Sequence, residues 1–211
     1  LTESSGREDG LAGDVRRELE ILNNLGIVAK ARSMFSKAIG CYEEAQAIAR
    51  KIGDRSGEAA LLNNMGSASL ASGDFILAGF YSEQAAAAAV EVNEPTVQGM
   101  ALTNRAEAHR ELGQYELAKS TAAQALALVR SSGYRRGEAI VLDNMSLVEL
   151  SLGNQTQALE AGKAALEIAR EIGSRPTEAS ALLHLGFLHT ETGQFDAAEQ
   201  MLITAQSIVL E

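Results

Sequence analysis

Apolar positions along this chain follow a helical spacing that recurs on a fixed step of 40 residues. In the stretch "LLNNMGSASLASGDF", Leu62, Met65, Gly66 and Ser69 fall on one face at about 100° per residue. Shifting by the same step gives whole columns: Leu22, Leu62, Leu102, Leu142 and Leu182, then the small residues Gly26, Gly66, Ala106, Ser146 and Gly186. Two further columns are always alanine: Ala38, Ala78, Ala118, Ala158 and Ala198, and Ala45, Ala85, Ala125, Ala165 and Ala205.

Turn signals keep the step. Gly73-Asp74, Gly113-Gln114, Gly153-Asn154 and Gly193-Gln194 each stop one helix and open the next, while the first repeat has Ser33-Met34 there. A second turn reads "IGDRSGEA" at 52–59, "SGYRRGEA" at 132–139 and "IGSRPTEA" at 172–179, with Pro95 and Pro176 where a missing N–H does least harm. The pattern predicts first helices over 15–32, 56–72, 96–112, 136–152 and 176–192. Second helices are predicted over 35–52, 75–92, 115–132, 155–172 and 195–210. A period of this size marks stacked helix pairs that bury a continuous core. Repeats are expected at about 13–53, 54–93, 94–133, 134–173 and 174–211, after a flank at 1–12 that ends a preceding element. The start at Leu1 and the helix-like end give the expectation of a piece of a longer protein.

Composition narrows the partners. The 211 residues are 46% hydrophobic but only 4% aromatic, so alanine-lined helices must pack closely. A formal net charge of −10 disfavours nucleic acid and anionic membranes. A lone cysteine, Cys41, cannot pair internally and suits a reducing cytoplasm. No apolar run approaches the roughly 20 residues of a membrane span.

Leu62, Gly66, Gly73, Phe75, Ala78 and Ala85 together resemble the tetratricopeptide repeat signature, in five copies over about 13–211. The period is longer than the family's usual one of about 34. Gln155 replaces the aromatic found at Phe35, Phe75, Tyr115 and Phe195, and Gly162 stands where bulk is expected, so repeat four is expected to be the softest. The resemblance implies an all-α, right-handed α-solenoid whose first helices line a concave groove. The long repeat is similar to that of polarity-adaptor proteins and of bacterial signalling ATPases and regulators.

On that basis an awkward feature finds a role. Asparagine is a poor helix former, yet Asn23-Asn24 and Asn63-Asn64 recur with Asn104 and Asn144, and His184 closes the row. These residues fall opposite the packing face that Leu22, Leu25, Gly26 and Ala29 form in the first helix. An amide side chain offers donors and an acceptor that match an extended peptide backbone. The groove candidates are Asn23, Asn24, Asn63, Asn64, Asn104, Glu107, Arg110, Asn144, Leu147, His184 and Phe187. Ile140, Leu147, Leu150, Leu183 and Phe187 would take apolar groups, and Glu107, Arg110 and Glu111 a polar one. Alternatively each Asn bonds a neighbouring helix and locks the stacking of repeats.

Other chemistry is thin. His184 and His189 lie five apart on different helix faces, against metal-ligand geometry, and His109 and His189 share a packing column. Cys41 has no adjacent base, no phosphate-cradling loop is present, and the carboxylates read as scattered over solvated faces. The expectation is a non-enzymatic interaction scaffold without cofactor or metal that holds a protein or peptide in its groove. The alternative is a self-assembly or spacer module of a larger bacterial signalling protein. Ile203 and Leu210, seven apart on the last helix, would give a homo-oligomer contact.

Overall fold

The computed structural model describes residues 2–210, with side chains from Gly13 onward. The flank expected at 1–12 lies outside the residues with described side chains. Among the described residues there are ten helices and no strand. They are α1 (Thr2–Ala31), α2 (Phe35–Ile52), α3 (Arg55–Ser72), α4 (Phe75–Glu91) and α5 (Pro95–Glu111). α6 (Tyr115–Ser131), α7 (Arg135–Ser151), α8 (Gln155–Glu171), α9 (Arg175–Glu191) and α10 (Phe195–Leu210) complete the chain. From α2 onward every expected boundary holds within one residue. α1 differs: it begins at Thr2 rather than near residue 15 and carries both Gly10 and Gly13 inside the helix.

The turns follow a stricter rule than the 40-residue step. One residue in the left-handed conformation occurs every 20 residues: Ser33, Gly53, Gly73, Asn93, Gly113, Gly133, Gly153, Gly173 and Gly193. The chain therefore alternates helix and a turn of two or three residues on a half period. After that residue the next amide reaches back to the last helical turn, as Asp74 N–H does to Ser69 (3.0 Å) and Gln114 N–H to His109 (2.8 Å). Asp54 and Asp74 then cap the next helix by accepting from Gly57 N–H (2.8 Å) and Leu77 N–H (3.0 Å). Pro95 opens α5 and Pro176 is second in α9.

Two compact units divide the chain, Leu1–Val97 and Gln98–Glu211, with the division inside α5. In the first unit α1–α4 pack as successive antiparallel pairs around Tyr42, Ala45, Leu61, Leu62, Met65 and Ala85. In the second the core holds Leu142, Ala158, Ala165, Leu182, Leu185 and Leu188. The two alanine columns are buried throughout, so helices approach backbone to backbone.

In four of the pairs, the small residue of the first helix faces a residue 16 positions later, and their sizes compensate. Gly26 accepts the ring of Tyr42. A Cβ on Gly66 would stand 2.6 Å from Ser82 Oγ, and one on Gly186 would stand 2.8 Å from Leu202 Cγ. In repeat four the sizes are exchanged, with Ser146 on the first helix and Gly162 on the second. The bulk missing at Gly162 is supplied by Leu185 of α9, whose Cδ2 would lie 2.7 Å from an added Cβ. Leu185 thus occupies the space that a bulkier residue at 162 would take.

One assignment to the packing face needs correction. Leu25 is 48% exposed, and Ile21 and Val28 flank it at 59% and 48%. In the same column Leu185 is covered by α8, the second helix of the preceding repeat; among the described residues no helix precedes α1.

Candidate functional site

The residues before the Leu-Gly positions link successive first helices. Asn64 Nδ2 donates to Asn23 Oδ1 at 3.0 Å. The same two columns meet again between α7 and α9, where His184 Nδ1 and Asp143 Oδ2 lie 2.9 Å apart. On the α1–α3 link Lys30 Nζ also donates to Ser67 Oγ (2.9 Å), and burial lowers the lysine pKa. In both pairs a polar side chain of one first helix bonds the first helix of the next repeat.

Between α5, α7 and α9 the same face opens into a cleft of about 350 Å³. Asn104 and Glu107 come from α5, Arg136, Ile140, Asp143 and Asn144 from α7, and Pro176, Thr177, Ser180 and His184 from α9. Four sequence candidates thus meet: Asn104, Glu107, Asn144 and His184. Arg110, Leu147 and Phe187 lie outside this lining; Arg110 pairs with Glu111, and Phe187 is 49% exposed. Asn23, Asn24, Asn63 and Asn64 belong to the first unit.

Asp143 falls on the same groove face as its neighbour Asn144. It holds the column position of Asn23 and Asn63, and a carboxylate there changes the chemistry. Its side chain is buried; Oδ2 accepts from Ser180 Oγ (2.8 Å) and faces His184, while Oδ1 has no partner. Burial alone would depress the His184 pKa, but the hydrogen bond and charge of Asp143 outweigh it and hold the imidazole above its ordinary value. Glu107 moves the other way for a carboxylate. Burial pushes its pKa up, Arg110 opposes, and Glu111 and Asp143 add to the rise.

The second turn motif proves to be an ion-pair clamp. Glu58 accepts from Arg50 Nε (2.5 Å) and Arg55 Nη1 (2.9 Å). Glu138 accepts from Arg130 Nε (2.8 Å) and Arg135 Nη1 (2.5 Å), and Glu178 from Arg170 Nε (2.9 Å). Arginine at the end of one second helix thus reaches over the turn to a glutamate, eight residues on, in the next first helix. Glu58, Glu138, Asp143 and Glu149 are buried, which corrects the picture of acids scattered over solvated faces. The eight-residue Arg–Glu spacing was the signal that could have found the clamps. His109 and His189 each face the glutamine five residues on, Gln114 and Gln194, at 2.7 and 3.0 Å. Among the described residues no group of three or more acids, histidines or cysteines could hold a metal ion, and no helix is long and apolar enough to cross a membrane.

A ladder of helix pairs joined through small residues, with polar side chains along the first helices, defines a class: the α-solenoid interaction scaffolds. The chain belongs to the tetratricopeptide repeat family, whose models match residues 17–90, 97–171 and 179–205. No curated protein matches it by sequence. Among solved structures it is similar to BtubC from P. vanneervenii, at 18% identity and TM-score 0.73, over 98% of this chain and 86% of that one. A Rap protein complexed with Competence and Sporulation Factor is also similar, at 18% identity and TM-score 0.82, over 90% of this chain and 54% of that one. So is a signal transduction ATPase with a tetratricopeptide repeat sensor from Pyrococcus horikoshii, at 17% identity and TM-score 0.69, over 90% of this chain and 29% of that one. The chain thus spans about half of the Rap protein and under a third of the ATPase. These likenesses establish the fold as that of tetratricopeptide repeat solenoids, a family of protein-interaction scaffolds.

Proposed function

We propose that this chain holds an extended segment of a partner protein against the first helices of its second unit, in the α5–α7–α9 cleft. One observation carries the reading: Asn104, Glu107, Asn144 and His184 converge from three successive first helices on one open cleft. Amide groups there can bond peptide N–H and C=O whatever the side chains, and Ile140 supplies an apolar contact. The Rap protein with its bound factor lends support by fold. The acidic, single-cysteine composition fits a cytoplasmic setting, and the ATPase likeness fits a role in signalling. Selection of a displayed random dodecapeptide library on the purified protein tests the proposal. Enriched peptides should bind wild type and lose affinity for an Asn104→Ala, Asn144→Ala variant that keeps its circular dichroism and melting temperature. No enrichment, or equal binding to the variant, refutes it.

A second reading, self-assembly, rests on the last helix. Ile203, Val209 and Leu210 are exposed at 53%, 75% and 80%, and an apolar depression of about 470 Å³ lies between Leu183, Leu202, Ala205, Val209 and Leu210.

A further inference from the structure

We infer that Asp143 is the anchor for a primary ammonium group carried by the segment bound in the α5–α7–α9 cleft. This inference rests on the peptide-binding reading and narrows it to a cationic ligand. Asp143 is 5% exposed and lines the cleft, and its buried Oδ1 has no donor. A buried carboxylate oxygen left unbonded is costly, and neighbours normally supply a donor. Asp143's own neighbours supply two, Ser180 and His184, and both go to Oδ2.

The rest of the cleft favours a donor-rich cation there. Glu107 lines the same space, and its carboxyl is held up by burial, with Glu111 and then Asp143 adding to the rise against Arg110 and His184. A cation between Glu107 and Asp143 relieves their repulsion and lets both carboxylates stay ionised. The amide oxygen of Asn144 is a further acceptor for a group with three N–H donors. Opposing charges are present. Arg110 is paired with Glu111, and His184 with Asp143. Arg136 also lines the cleft but is exposed, and its guanidinium suits the carbonyl oxygens of the segment that carries the amine. An ammonium is compact enough to reach the wall where a guanidinium fork needs a wider opening.

The ammonium can come from a lysine side chain or from a chain N-terminus, and the test separates them. Nα-acetyl-lysine methylamide, glycinamide and Nα-acetyl-norleucine methylamide are titrated into the protein, with the His184 imidazole signals read by NMR. The lysine or glycine amine should move the His184 signals saturably, identifying side chain or terminus, while the uncharged norleucine analogue should not. Asp143→Asn, similar in shape, should weaken the amine response at least tenfold, and Glu107→Gln should weaken it with the fold intact. Equal response to norleucine, no response to either amine, or full response in both variants overturns the anchor. If library peptides bind wild type and Asp143→Asn alike, the anchor fails while the groove reading stands. If no peptide is selected but the amines still titrate, the groove reading fails instead.

Discussion

Glu138→Gln removes the centre of one turn clamp and should destabilise the protein in a pH-dependent way. Glu138 is nearly buried and takes two short hydrogen bonds, from Arg130 and Arg135. A hydrogen bond to a charged group contributes about 1.5–3 kcal/mol. Both arginines are about half exposed and regain water when the carboxylate goes, so a loss of about 1–2 kcal/mol is expected at pH 7. For a chain of this length that lowers the melting temperature by about 2–8 °C. Burial alone would raise the Glu138 pKa, but its hydrogen bonds to Arg130 and Arg135, and their charge, hold it below the ordinary carboxylate value. A depressed folded pKa means the folded state binds protons less readily than the unfolded chain. The clamp's stabilisation is then complete above the unfolded value of about 4.3 and disappears as pH falls through the folded one. Thermal melts followed by circular dichroism at pH 7, 5, 4 and 3 should show the wild-type advantage constant down to pH 5, shrinking below about 4.3. An advantage undiminished at pH 3 would mean that Glu138 acts through packing rather than charge, and the clamp argument would fall.

Three further outcomes follow from the same geometry. Ser33 sits at φ 58° where seven other turns use glycine, so Ser33→Gly should raise stability by about 0.5–1 kcal/mol in chemical denaturation; unchanged or lower stability would contradict it. Gly162→Ala drives a methyl into Leu185 and should cost about 1–3 kcal/mol, with Leu185→Ala in the same chain recovering part of the loss; a silent Gly162→Ala would show that α8 and α9 can shift apart. If the last helix mediates self-association, light scattering should give a concentration-dependent mass for wild type and a monomer for Ile203→Glu, Leu210→Arg, whereas identical monomers would exclude contact through that face.

Much of the architecture is local and therefore readable along the chain. A 20-residue alternation of helix and left-handed turn needs only glycine at the stop, Asp54 or Asp74 at the start and apolar spacing between them, all properties of neighbouring residues. That is why nine of the ten helices fall within a residue of their expected limits, and why the repeat columns identify the family. What the columns could not reveal depends on which pairs of positions meet. Ser146 and Gly162 look like two defects until they face each other, because volume is conserved across the contact and not within either helix. The asparagine row reads as a ligand surface in one dimension. Whether a side chain meets solvent or its counterpart 41 residues on, as Asn64 meets Asn23, is set by the packing of one first helix on the next. Asp143 shows the same limit most sharply: in sequence it is a polar residue beside Asn144, and only burial against Ser180 and His184 makes it an acid with one oxygen unsatisfied. Hydrogen-bond partners and desolvation are properties of surroundings that distant residues assemble, so tertiary packing decided the site's chemistry while local periodicity decided the fold.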